Sequence, residues 1–242
     1  MRIATWNIER PRTNGHDKNA ARLARIASID ADIWFLTETH ASIVPPGYHA
    51  LATRPVAGYH TPGENFSTLL SRWPLVRTIE TWNPEFAVCA EICTPGGPVL
   101  AYATLITYAN DRGCNPDSAS PRWHEHRQSI AAHRQDWLRL AREFPDLPVL
   151  IGGDFNQSRD GSGWYADKRA VAELSDALRE ASLQCLTEQD FRVSHGLSRA
   201  SVDHLCASHA LVSRVRDLGV WEGRIDGRPL SDHNGVFVDL DF

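Results

Sequence analysis

Three apolar stretches of this chain end on residues that could bind a metal ion or move a proton: Thr5-Trp6-Asn7-Ile8-Glu9, Leu36-Thr37-Glu38-Thr39 and Gly153-Asp154-Phe155-Asn156. A fourth group, Ser231-Asp232-His233-Asn234, comes just before the last strand-like segment. Taken singly, each reads as a turn residue whose side chain bonds to backbone. Taken together they supply carboxylate oxygens, amide oxygens and an imidazole, a hard donor set that suits Mg²⁺ or Mn²⁺ better than zinc. Strand ends are where a rigid sheet can hold such groups in a solvated cleft.

The elements that must position them alternate unevenly. Strand-like runs span Arg2–Asn7, Asp32–Thr37, Ser67–Ser71, Leu75–Thr81, Phe86–Ile92, Val99–Tyr108, Val149–Ile151, Ser201–Ser208, Leu218–Trp221 and Gly235–Leu240. Apolar residues at helical spacing predict helices over Lys18–Ile29, Trp123–Phe144 and Lys168–Ser182. Ser42–Val56 and the turn-rich Asn110–Pro121 read as loops. Strands follow one another without strict strand–helix alternation, which predicts an α+β or mixed-sheet α/β fold rather than a doubly wound parallel sheet. Chemistry spread from Asn7 to His233 must converge, so residues 1–242 are expected to form a single catalytic domain.

Composition narrows the function classes. Hydrophobic residues make up 42% of the 242 positions and charged ones 23%, which excludes a disordered chain. The 30 acidic against 25 basic side chains give −5, an unlikely balance for a protein coating long stretches of DNA. That acidity favours a short or small phosphodiester substrate. No apolar run reaches membrane-spanning length and no secretory leader is evident, so a cytoplasmic protein without a membrane partner or an obligate protein partner is expected. The five cysteines include no Cys-x-x-Cys pair and read as free thiols, with Cys89 and Cys93 sharing a strand face.

The ordered motifs resemble those of the endonuclease/exonuclease/phosphatase superfamily. They are Thr5-Trp6-Asn7-Ile8, Glu38, Ser71-Arg72-Trp73-Pro74-Leu75, Gly153-Asp154-Phe155-Asn156, Ser201-Val202-Asp203-His204-Leu205 and Ser231-Asp232-His233, and they cover nearly the whole chain. The resemblance implies a four-layer sandwich: two mixed β-sheets packed face to face, flanked by helices, with the site at one end. It implies Glu38 as the main metal ligand, with Asn7, Asp232 and, less directly, Glu9. Asp154 would orient or deprotonate the attacking water, Asn156 and Asn7 would hold phosphate oxygens, and His233, oriented by Asp203, would donate to a non-bridging oxygen. The sequence departs from the family where a His, or in the repair-enzyme branch a Tyr, precedes the longest helix. Here Tyr108 and Asn110 match that Tyr-x-x-Asn pattern only loosely, and Tyr108 is a candidate phosphate-side donor beside plain strand-end packing.

Trp164 and Tyr165 follow a Gly/Ser loop just after Asp154 and could either stack a nucleobase or anchor that loop. Arg10, Arg12, Arg159, Lys168 and Arg169 flank the motif loops and could meet phosphates, although solvated surface charge is the default. Asp154, Asn156, Ser158 and Asp160 imitate a calcium loop, but Arg159 stands where Gly is needed and Tyr165 where Glu is needed. His124 and His126 have the wrong spacing for a helical zinc pair and read as solvated or capping histidines. The expected activity is metal-dependent hydrolysis of a phosphate ester, by a phosphodiesterase or nuclease. The alternatives are a phosphatase of inositol phosphates or lipids and a non-catalytic binding module. The intact acidic set weighs against the last, and the lack of an apolar loop weighs against a lipid enzyme.

Overall fold

The computed structural model describes residues 1–12, 15–113, 120–225 and 227–241. Cys114 and part of the turn-rich 110–121 segment lie outside these residues. The elements in order are β1 (Arg2–Asn7), α1 (His16–Ile29), β2 (Ile33–His40), β3 (His49–Ala52), β4 (Glu64–Ser71), β5 (Leu75–Ile79), β6 (Ala87–Thr94) and β7 (Gly97–Leu105). There follow α2 (His124–Glu143), β8 (Val149–Asp154), α3 (Lys168–Glu180), β9 (Leu183–Cys185), α4 (Phe191–His195) and β10 (Asp203–Ser208). The chain closes with α5 (His209–Val212), β11 (Val215–Trp221), the short pair β12 (Arg224–Ile225) and β13 (Arg228–Pro229), and β14 (Gly235–Leu240).

Two six-stranded sheets form, in the orders β11-β14-β1-β2-β4-β3 and β5-β6-β7-β8-β10-β9. Each is antiparallel apart from one central parallel pair, β1 with β2 and β7 with β8. Those pairs are joined by the crossover helices α1 and α2, since parallel neighbours cannot be linked by a tight turn. Ile3, Phe35, Leu69, Ala101, Leu150, Leu205 and Val236 fill the space between the sheets. Ile26 and Ile29 of α1 pack with Trp6, Trp34 and Trp221 on the outer face of the first sheet. Trp137 and Leu140 of α2 and Leu174 and Leu178 of α3 cover the outer face of the second. The result is the expected four-layer sandwich of two mixed sheets flanked by helices. No helix among the described residues is long and apolar enough to cross a membrane.

Several boundaries differ from the sequence expectation. β7 ends at Leu105, so Tyr108 lies beyond the strand; the Ile106 N–H donates to Asp154 O at 2.8 Å and the chain then leaves the sheet. β3 forms within the expected 42–56 loop: it is a short edge strand whose mostly exposed residues carry no alternation. β4 starts at Glu64, three residues before the apolar run that reveals it. Cys89 and Cys93 have the same strand parity, yet Cys89 is buried under the helices and Cys93 is exposed.

Close approach of the layers depends on two glycines. A Cβ at Gly152 would lie 2.5 Å from the Phe35 ring of the facing sheet. At Gly153, φ is +146° and a Cβ would meet the Thr104 carbonyl oxygen of β7 at 1.8 Å. Gly153→Ala is therefore expected to cost roughly 2–4 kcal/mol through combined strain and overlap. Urea denaturation checks this; an unchanged midpoint would contradict the packing described.

Candidate active site

The two parallel pairs deliver the C-terminal ends of β1, β2 and β8 to one end of the sandwich, with Asn7, Glu38 and Asp154 at their tips. β10 runs antiparallel to β8 with Asp203 directly opposite Asp154. β14 runs antiparallel to β1, which brings the preceding Ser231-Asp232-His233 loop against Asn7. Asn7, Asp154 and Asp203 share the strand parity of Ile3, Leu150 and Leu205, so all three point between the sheets. Glu38 has the opposite parity, that of Trp34 and Leu36. Its φ of +48° breaks the alternation and turns the carboxylate into the site.

The polar groups form one connected set. The Asn7 amide Nδ2 donates to Glu38 Oε1 at 3.1 Å and to Asp154 Oδ2 at 3.0 Å, while Asn7 Oδ1 accepts the Glu9 N–H at 2.9 Å. Asn156 sends its backbone N–H to Asp154 Oδ1 at 2.8 Å and its side-chain amide to Asp154 Oδ2 at 3.0 Å and Ile106 O at 2.9 Å. Asp203 Oδ1 accepts the Asn7 N–H at 3.0 Å, and Asp203 Oδ2 lies 2.6 Å from His233 Nδ1. His233 Nε2 then faces Asp154 Oδ2 and Asp232 Oδ1, each at 4.0 Å. Ser231 Oγ donates to Asn7 O at 2.6 Å and accepts the His233 N–H at 3.0 Å. The Trp6 indole donates to His233 O at 3.2 Å, tying the loop to the tryptophan cluster.

Burial and charge set the protonation states. Burial pushes the Glu38 carboxyl up, against the opposing pull of the Asn7 amide and His233. Burial also lifts Asp154 to about 7, opposed by His233 and reinforced by Asp203. Burial alone would depress His233, but the charges of Asp203 and Asp154 and the Asp203 hydrogen bond outweigh it and carry the ring to about 10. Asp154, Asp203 and His233 place potential ligand atoms within 4.8 Å of one another. In the metal-free protein the raised pKa of His233 keeps a proton within this cluster.

Other sequence candidates sort by position. Asp232 is 61% exposed at its side chain and lines a cleft of about 270 Å³ with Asn156, Trp164, Tyr165, Arg199 and His233. Trp164 is 51% exposed there, while Tyr165 anchors the loop: its hydroxyl accepts the Ala109 N–H at 3.1 Å and its ring meets Trp123. Tyr108 is 51% exposed, near enough to Tyr59 and Tyr165 for their charges to interact. Arg10 and Arg12 line a second recess beside Glu38, and Glu9 there is paired with Lys18 at 2.7 Å. Arg159 is instead buried against Glu188, Arg169 pairs with Glu173 along α3, and Lys168 is exposed at the start of α3. His126 is neither solvated nor a cap: it is buried between Thr107 O at 2.6 Å and the Gln157 amide at 3.1 Å, supporting the loops behind Asp154. The sequence reading missed Arg199, whose guanidinium holds Asp232 O and whose carbonyl accepts the Asn234 amide. Its one available signal was a basic residue four positions before Asp203.

A profile of the Endonuclease/Exonuclease/phosphatase family matches residues 4–233. The chain belongs to this family. Solved structures of similar fold include the 3′-5′ exonuclease NExo from Neisseria meningitidis (18% identity, 100% of both chains, TM-score 0.70). They also include the 3′ phosphatase NExo (D146N) from Neisseria bound to product DNA hairpin (19% identity, 100% of both chains, TM-score 0.68). An AP endonuclease from Archaeoglobus fulgidus aligns at 15% identity over 100% of both chains, with a TM-score of 0.67. Comparison with curated protein sequences returns no match. Membership in the Endonuclease/Exonuclease/phosphatase family indicates phosphoester hydrolysis of the nuclease/phosphatase type.

The His233–Asp203 pair has a direct spectroscopic consequence. With its pKa raised from 6.5 to about 10, the ring stays charged at neutral pH in metal-free protein. The stabilisation from this shift is complete below about 6.5 and is lost as pH rises through about 10. Imidazole NMR titration is expected to show that release point, and Asp203→Asn is expected to move it down by more than about one unit. Release near 6.5 in the wild-type protein would remove Asp203 as the partner that holds the charge.

Proposed function

We propose that this chain is a divalent-metal-dependent phosphodiesterase or nuclease, with residues 1–242 acting as one catalytic domain on nucleic acid or a small phosphodiester. The observation that carries the reading is the placement of a charged His233, 2.6 Å from Asp203, with its free nitrogen 4.0 Å from Asp154. That separation is too long for a direct hydrogen bond, and an oxygen set to one side of the line joining the two atoms can bond to both. The neighbouring folds that process DNA support taking nucleic acid as the first substrate class to test.

The residues fit a hard cation. Glu38 accepts one N–H of the Asn7 amide, and burial pushes its carboxyl up, as expected where negative charge is under-compensated. Glu38, Asn7 and Asp232 would hold Mg²⁺ or Mn²⁺. When bound, that ion supplies charge neutralisation at the phosphate and its leaving oxygen. Asp154, poised near neutrality, accepts the proton of the water that attacks phosphorus. His233 donates from Nε2 to a non-bridging oxygen as charge accumulates there, and Asp203 keeps the ring protonated and aimed. Asn7 and Asn156 would hold phosphate oxygens by giving up amide N–H bonds that now serve Glu38, Asp154 and Ile106. Tyr108, exposed beyond the end of β7, would be a phosphate-side donor, and Trp164 would offer an exposed ring to a base.

A chelator-controlled substrate panel tests this: single- and double-stranded DNA, RNA, bis(4-nitrophenyl) phosphate, a phosphomonoester and inositol phosphates. Phosphodiester cleavage is expected to vanish in EDTA and to return with Mg²⁺ or Mn²⁺. Asp154→Ala and His233→Ala are each expected to lower kcat by about 10²–10⁴ while remaining folded by circular dichroism. Cleavage of no phosphate ester with either metal would favour the binding-module reading instead.

A further inference from the structure

Behind the candidate site, four buried polar side chains form a continuous chain with Gln157 at its centre. Gln157 Nε2 lies 3.1 Å from His126 Nε2, and the Gln157 backbone oxygen accepts from His204 Nε2 at 3.1 Å. His126 Nδ1 donates to Thr107 O at 2.6 Å, and His204 Nδ1 lies 3.0 Å from Thr187 Oγ1. None of Gln157, His126, His204 and Thr187 is more than 1% exposed. Burial lowers the His126 pKa to about 4, so its ring is neutral at physiological pH. With its proton on Nδ1 for Thr107 O, the ring can only accept at Nε2, and the Gln157 amide donates to it.

Three links of the chain adjoin residues of the site. His204 follows Asp203, Gln157 follows Asn156, and Thr107 precedes Tyr108. In β10 the alternation that turns Asp203 between the sheets turns His204 to the opposite face, where its ring meets Phe155 at 5.7 Å. Asn156 has φ of +48° and from that conformation gives two N–H groups to Asp154. Such a backbone persists where neighbouring contacts over-determine it, and the two bonds of Gln157 grip the very next residue from both sides. Packing alone does not require an amide here. Gln157 Oε1 is buried with no hydrogen-bond partner among the described residues, a cost that an apolar side chain of the same shape would avoid.

We infer that Gln157 is a positioning residue: braced between His126 and His204, it fixes the turn that sets Asn156 against Asp154. The same chain ties the exit of β7 and the start of β10 to that turn, so Asp154 and Asp203 keep their spacing across the site. Gln157 itself is buried behind the turn and acts only through Asn156 and Asp154. Its effect on turnover rests on the phosphodiesterase reading above.

Two variants break the brace without emptying its space. Gln157→Met keeps the shape and removes the donor, and His126→Phe keeps a ring and removes both nitrogens. Each is expected to lower kcat for bis(4-nitrophenyl) phosphate by about 10–100-fold with KM within about twofold, since a displacement of about 1 Å suffices for such a loss. The double variant should lose no more than about threefold beyond either single one, because both cut the same link. Amide hydrogen exchange in metal-free protein reads the turn directly: Gln157→Met should speed exchange of the Asn156 N–H about tenfold and leave the β8 amides unchanged. Wild-type kcat in Gln157→Met, two losses that multiply in the double variant, or equal acceleration of exchange across β8 would overturn the brace. So would a neutral His126 carrying its proton on Nε2 in the nitrogen-15 spectrum of the wild-type protein, a measurement that needs no variant to fold. Faster Asn156 exchange in Gln157→Met, with no phosphate ester cleaved by the wild-type protein, would support the brace and overturn only the catalytic reading.

Discussion

Three carboxylates meet at one end of the sandwich, and the rest of the molecule is organised around making that tolerable. Removing a carboxylate from water costs several kcal/mol unless charge and hydrogen bonds offset it. Asp154 and Asp203 are almost wholly buried, and Glu38 is partly so. The offset comes from few groups: one Asn7 amide serving two acids, the Asn156 amides, the Asn7 backbone N–H and the His233 ring. They come from three separate places: the end of β1, the turn after β8 and the loop before β14. The site is therefore only as well formed as the alignment of both sheets.

That alignment has a simple origin. Each sheet contains one strand–helix–strand crossover, and each crossover points its strand ends the same way. Gly152 and Gly153 let β8 lie close to both the facing sheet and β7. The tryptophan cluster beneath the first sheet anchors the His233 loop through the Trp6 indole. Packing far from the chemistry thus sets the position of the imidazole.

Backbone strain follows the same map. Among the described residues, seven non-glycine residues have positive φ. Asp30 and Ser182 stand at helix C-terminal ends, where such angles are ordinary, and Trp123 stands at the start of α2. Glu9, Arg10, Glu38 and Asn156 all surround the site. Strain of this kind persists where surrounding contacts over-determine it. Here it turns Glu38 inward and sets Asn156 against Asp154.

The residue sequence by itself determined the chemistry available and the fold class that presents it. Asn7, Glu38 and Asp154 stand at the ends of apolar runs, and such runs must form buried strands whose tips reach solvent; strand and helix periodicity is local, so it was legible. What lacked a local signature was not. β3 is an exposed edge with no alternation, Tyr108 sits past a strand end set by the Asp154 carbonyl, and His126 is buried by loops distant in sequence. Arg199 became a cleft residue only when its loop met the one bearing Asp232. Tertiary structure alone decided that Glu38 breaks its strand's alternation, that Asp203 faces Asp154, and that Gln157 joins His126 to His204. Those outcomes depend on register and sheet-to-sheet distance, quantities set by contacts between residues far apart in the chain.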